Sequence, residues 1–291
     1  MARRPSPRPT YDVPTAILAG EATMHLWGDD GAGWVSDRIF VSSERVHQLE
    51  LVIPAGGHFQ SSESNRTLFA ADEVFMVLEG VLALANPQTG EVHRVEAGEA
   101  AFFRRDTWHH GFSVGAQPLK VLEYFCPPPA QGTSSSYAMQ HEDLAHWVYA
   151  DDSVLGRWPL EADKILMDDT MRVLRLADKR WRLEGSTNSA IVGLLVSTEH
   201  MTVGTLSLLA GRRSGERSHP GETAMYVTKG QVHVFTPEDG PPSWFELGVG
   251  DGFFVPTERR YELFNMSGQP SEVAFVVAPD YARTADTHSS R

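Results

Sequence analysis

The chain has 291 residues, more than one domain usually needs and enough for two. Hydrophobic residues make up 41% and charged residues 22%, which excludes overall disorder and permits a substantial core. With 25 Lys+Arg against 38 Asp+Glu the net charge is −13, which repels phosphate backbones and anionic lipid, so neither nucleic acid nor a membrane surface is an expected partner. Residues 1–15 read as a Pro/Arg-rich tail, because Pro5, Pro7, Pro9 and Pro14 prevent regular structure. No apolar signal core follows Arg3, Arg4 and Arg8, and no apolar run approaches the ~20 residues of a membrane helix. A first domain is expected over 16–126, with strands at 46–53, 74–78, 81–84, 100–103 and 119–125, most bounded by Gly, Pro, Asn or Asp. It closes at Cys126, the one cysteine, so an intrachain disulfide and a multi-thiolate zinc site are excluded and a reducing, cytoplasmic setting is expected. Residues 127–163 read as a linker with a short helix over Glu142–Tyr149. Strand signals return over 164–279 at 201–209, 224–227, 232–235, 252–255 and 273–277, before a frayed polar tail at 280–291.

The two strand series are copies. Gly80 in Val-Leu-Glu-Gly matches Gly230 in Val-Thr-Lys-Gly, an offset of 230 − 80 = 150. Gly98 opens Gly-Glu-Ala-Ala-Phe-Phe and Gly250 opens Gly-Asp-Gly-Phe-Phe-Val, an offset of 250 − 98 = 152. Glu44 and Glu199 open comparable stretches, with 199 − 44 = 155. A nearly constant offset over three anchors means a duplicated domain.

These residues resemble the cupin superfamily, small β-barrels of jelly-roll type. Glu73 followed by Gly80 fits the end of that family's first motif, and Gly98 followed by His109 fits the spacing of its second, although Arg104 and Asp106 replace a Pro and a Gly. In the second copy Gly230, Gly250, Pro256 and Asn265 fall on family positions. The resemblance implies an all-β chain of two tandem jelly-roll barrels joined by a short helical connector.

In metal-binding cupins two His and a Glu of the first motif, with a His of the second, hold one divalent ion. The resemblance therefore implies Glu73 and His109 as metal ligands or catalytic groups in the first barrel, while Arg66 and Leu68 occupy the His-x-His positions. His58 either supplies a third ligand, giving a two-His-one-carboxylate set, or is a solvated loop histidine. Imidazole plus carboxylate suits iron, manganese or zinc. His110 should point away from His109 toward the surface, and His93 and His233 toward solvent. In the second barrel the equivalent positions are Arg217, His219, Thr223 and Tyr261, so no metal is expected there and the barrel reads as a structural partner.

The expected substrate-binding residues are Arg66, Phe75, Trp108, Tyr124 and Arg217, around an apolar pocket suited to a small organic molecule. Each Arg either closes an internal ion pair or awaits an anionic ligand. Glu73 is the favoured partner of Arg66, Glu216 and Glu222 are the alternatives for Arg217, and ligand binding or exposure is favoured for Arg217. The leading functional expectation is a metal-assisted oxygenase or isomerase. The alternatives are a metal-free acid/base epimerase or dehydratase using Glu73 and His109, and a non-catalytic binding barrel. Family members commonly pair sheet edges, so a homodimer is the expected assembly.

Overall fold

The computed structural model describes residues 7–127, 137–185, 189–237, 240 and 243–281. The Gly/Ser/Thr stretch of the connector and parts of both expected tails lie outside the described residues. The architecture is two tandem jelly-roll barrels, each made of one seven-stranded and one four-stranded antiparallel sheet. Among the described residues no helix is long and apolar enough to cross a membrane.

In barrel one the large sheet runs, in spatial order, Met171–Leu174, Ala100–Phe103, Asp72–Glu79, Leu119–Cys126, His47–Ile53, Gly33–Ser42 and Thr23–Asp29. Its small sheet is His58–Phe59, His110–Ser113, Val81–Ala85 and Val92–Glu96. Barrel two repeats the plan, with Glu222–Lys229 and Ser271–Ala278 at the centre of its large sheet. The shared Gly80 and Gly230 turns have a common cause. Both take left-handed backbone (φ +82° and +71°), and a Cβ there would lie 2.8 Å and 2.9 Å from the carbonyl oxygens of Pro118 and Pro270.

The barrels exchange strands. Thr15–Ile17, at the boundary between the expected tail and the first domain, pairs with Gly252–Val255 of barrel two, while Met171–Leu174 pairs with Ala100–Phe103 of barrel one. Each exchanged strand covers a row of backbone donors and acceptors that would otherwise be an open sheet edge.

Three cores follow from strand alternation. Along Leu119–Cys126, Val121 and Phe125 enter the interior of barrel one, while Leu122, Tyr124 and Cys126 enter a core shared with Tyr226, Phe254 and Val276 of barrel two. A strand buried on both faces reads as a mostly apolar run, and this one does so apart from Lys120 and Glu123. Polar contacts cross the same interface, including Gln48 Nε2 donating to Met225 O at 3.1 Å and Tyr226 Oη donating to Glu50.

The connector departs from expectation. Residues 142–149 form no helix, and the helix falls at Ala162–Asp168. Tertiary anchoring overrides local propensity there. Tyr149 Oη lies 2.8 Å from His110 Nδ1, and Trp147 packs edge-on against the same ring at 4.9 Å. His110 does face away from His109's cavity, but it is fully buried under this segment instead of lying at the surface.

Candidate active site

Glu73 and Phe75 alternate with Val74 along Asp72–Glu79, so both side chains enter barrel one, where each is 1% exposed. Glu73 sits in register between Phe103 and Phe125 on the flanking strands. His109 lies just before the strand His110–Ser113, held among Phe59, Phe69, Phe75 and Phe103 with ring centroids 4.7–5.9 Å away. Its Nδ1 is 3.1 Å from the Thr107 carbonyl, which can only accept, so Nδ1 carries the proton and Nε2 presents a lone pair. That Nε2 stands 3.6 Å from Glu73 Oε2, an atom buried with no hydrogen-bond partner. Two donor atoms thus converge in an apolar setting without a proton bridge between them.

His109 also forms part of the wall of a cavity of about 40 Å³, otherwise lined mainly by Trp27, Leu51, Phe59, Phe75 and Phe125. Two acids that sequence reasoning missed, Asp37 and Glu123, line the same cavity. Burial first, then the charges of Glu123 and Asp72, pushes the Glu73 carboxyl well above its usual range. Burial and then Asp37 do the same to Glu123. Burial lowers His109 to about 4, outweighing the Thr107 hydrogen bond. Without a cation, therefore, burial favours the neutral, protonated form of Glu73 and the neutral imidazole of His109. The donor set fits a divalent ion: a partnerless carboxylate oxygen and an unprotonated imidazole nitrogen, separated by a gap that two bonds of ~2.0–2.2 Å can span.

The family model for the cupin domain matches residues 58–125 and 204–277, one stretch in each barrel, and the first contains both Glu73 and His109. The chain is a two-domain cupin. No match to a curated protein sequence was found. Solved structures share the fold across both barrels at low identity. AerE from Microcystis aeruginosa aligns with TM-score 0.59 and 10% identity over 88% of this chain and 97% of its own. The putative glyoxylate-induced protein from Pseudomonas aeruginosa gives 0.60 and 13% over 95% and 93%. Oxalate decarboxylase from Bacillus subtilis gives 0.61 and 12% over 94% and 79%.

Other expected site residues of this bicupin lie elsewhere. His58 pairs in register with Phe112 and stacks on it (6.1 Å, 29°), while Phe59 takes the cavity side, so alternation turns His58 away from Glu73. Among the described residues His58 belongs to no cluster of three convergent donors. Arg66 does not meet Glu73: its Nη1 donates to the carbonyls of Ala138 and His141 at 3.1 and 2.5 Å, with Asp143 3.8 Å from Nη2. Trp108 packs with Leu68, Ala138 and Leu144, where the connector closes over the barrel, and does not line the cavity. Tyr124 has the parity of the shared core, and its neighbours Glu123 and Phe125 face the cavity instead.

In barrel two Arg217 is buried, not exposed, and closes an internal ion pair. It is 2% exposed, and its Nη2 lies 2.8 Å from Glu184 Oε2 and donates to Tyr281 Oη at 2.8 Å. Glu216 pairs instead with Arg260, and Glu222 accepts from Ser43 across the barrel interface. Tyr281, expected in a frayed tail, is buried and stacks on His219 (4.6 Å, 29°). His93 and His233, expected in solvent, are paired with Glu91 and Glu246.

Proposed function

We propose that this bicupin is a metal-assisted small-molecule enzyme of the oxygenase or isomerase type, working in barrel one. The observation that carries the reading is the partnerless Glu73 Oε2 facing the bare Nε2 of His109 at 3.6 Å. At that distance the two atoms cannot share a proton in a hydrogen bond. A divalent ion satisfies both lone pairs and favours the ionised carboxylates that burial opposes in Glu73 and Glu123. When bound, such an ion supplies Lewis acidity and open coordination positions for a substrate oxygen.

The protein's own groups do the rest. Glu73 and His109 are the metal ligands, and Glu123 is the nearby carboxyl able to hold or release a proton toward the cavity. Thr107 fixes the His109 tautomer, and four phenylalanines fix its ring. The apolar wall excludes water, and the cavity volume of about 40 Å³ favours a small substrate or one end of a larger one. Similarity to oxalate decarboxylase extends to fold alone and does not select the substrate.

A second reading is supported by the protonation states. A neutral carboxylic acid and a neutral imidazole 3.6 Å apart are an acid and a base ready for metal-free proton transfer, as in an epimerisation or dehydration. Metal analysis of freshly purified protein separates the two. The metal reading expects first-row metal whose content falls by one equivalent per chain in Glu73→Ala and in His109→Ala. Activity that is metal-free and insensitive to chelator overturns it in favour of the acid/base pair.

A further inference from the structure

A second convergence of donors lies outside the barrel interior, where the chain passes from connector to barrel two. One ligand atom each from Glu91, His93 and Asp169 lies within 4.8 Å of the others. His93 Nε2 is 2.7 Å from Glu91 Oε1 and 3.8 Å from Asp169 Oδ2. The group is sheltered: the side chains are 6%, 18% and 16% exposed.

Glu91 and His93 are each placed by something other than their cluster mates. His93 projects from Val92–Glu96 in the small sheet, where it is in register with Leu84. Glu91 accepts from the backbone of Thr170 and Met171 at 2.8 and 2.9 Å and from Thr170 Oγ1 at 2.8 Å. It is thus a fixed carboxylate with one lone-pair site remaining, on Oε1, which His93 Nε2 faces. Asp169 is different. It accepts no hydrogen bond from any described residue, yet it is packed against the Glu91 carboxylate, and burial followed by that charge raises its carboxyl above the usual range. Arg172 does not neutralise it by contact, since its guanidinium donates to the carbonyls of Leu166 and Met167. Two carboxylates and one imidazole, one of the carboxylates with no hydrogen-bond donor of its own, are a cation-binding arrangement.

We propose that Glu91, His93 and Asp169 form a divalent-cation site on the outside of barrel one, taking a first-row ion such as zinc. The ion clamps residues 169–171 to the small sheet and so pins Met171–Leu174, the strand that barrel two's approach chain lends to barrel one. That strand lies beside Ala100–Phe103, whose Phe103 packs on His109. The clamp is structural and takes no part in the interior chemistry.

The test uses the full chain without an affinity tag, stripped with chelator, in the Glu73→Gln background so that the interior carboxylate is disarmed. Zinc is titrated by calorimetry and its effect on thermal unfolding is recorded. The expected result is saturable binding and a raised melting temperature, with affinity weakened about 10-fold or more in Asp169→Asn and in His93→Gln. Asp169→Asn removes no hydrogen bond, so it guards against a variant that merely fails to fold. Absence of zinc binding, or binding equally tight in Asp169→Asn, overturns the proposal and leaves His93 as a plain hydrogen-bonded bridge between two acids.

Discussion

His109 Nε2 and Glu73 Oε2 face each other across 3.6 Å with no hydrogen bond joining them. Each is fixed from behind, His109 by the Thr107 carbonyl and Glu73 by its register between Phe103 and Phe125. The gap is therefore built into the barrel, and its consequences can be measured.

The first consequence is proton release. Glu73 and Glu123 hold protons above the usual carboxylate range, and a cation must displace them. Metal binding to the interior site is expected to release protons and to tighten as pH rises. Calorimetry in two buffers of different ionisation enthalpy measures this directly. Uptake independent of both buffer and pH would contradict it.

Stability of the metal-free protein should carry the same signature. A carboxyl whose folded pKa is raised contributes stability that is complete below its unfolded value, about 4.3, and lost as pH rises through the folded value. His109, lowered to about 4, contributes in the opposite sense: its share is complete above the unfolded histidine value of about 6.5 and lost as pH falls toward 4. Glu73→Gln keeps a neutral side chain at every pH. It is expected to stabilise the metal-free protein at neutral pH by about 1–3 kcal/mol and to flatten the decline above about pH 5. Thermal melts across that range check it, and a variant that melts lower at neutral pH would refute it.

Arg217 is expected to be structural. Arg217→Met removes the buried cation from Glu184, leaving it the half-exposed Arg182 at 3.2 Å and the Tyr281 hydroxyl, and should cost about 1–3 kcal/mol. Adding Glu184→Leu should recover part of that loss, since the second charge is then removed too. Denaturant unfolding of both singles and the double closes the cycle. Purely additive losses would show that the pair is not coupled.

Strand exchange makes its own forecast. Deleting residues 1–17 uncovers Gly252–Val255 in barrel two while leaving the interior of barrel one untouched. Hydrogen exchange at Gly252–Val255 should accelerate, and metal binding at Glu73 and His109 should persist. Unchanged protection there would mean that the exchanged strand contributes nothing.

The duplication and the barrel type were legible because both rest on local features that recur: the left-handed turns at Gly80 and Gly230, and strands of alternating or continuous apolar character. Glu73 and His109 could be paired from motif spacing alone. Glu123 and Asp37 belong to no motif, yet a signal existed. Each is an acid at the parity that faces the interior, Glu123 between Leu122 and Tyr124 and two residues from Phe125, Asp37 two residues from Val35 and from Ile39. Tyr124, one residue out of phase with Glu123 and Phe125, takes the shared-core face by strand alternation. Arg66 and Arg217 could not be placed from sequence, because their partners come from the connector, from Glu184 and from Tyr281, which no spacing rule links to them.

The most direct measurement is an anomalous difference map from crystals of the full chain soaked in manganese, recorded near the manganese edge. A peak about 2.0–2.3 Å from both Glu73 Oε2 and His109 Nε2 is the expected result. A map with no peak between those two atoms, at manganese concentrations that saturate binding in solution, would contradict the metal-assisted account.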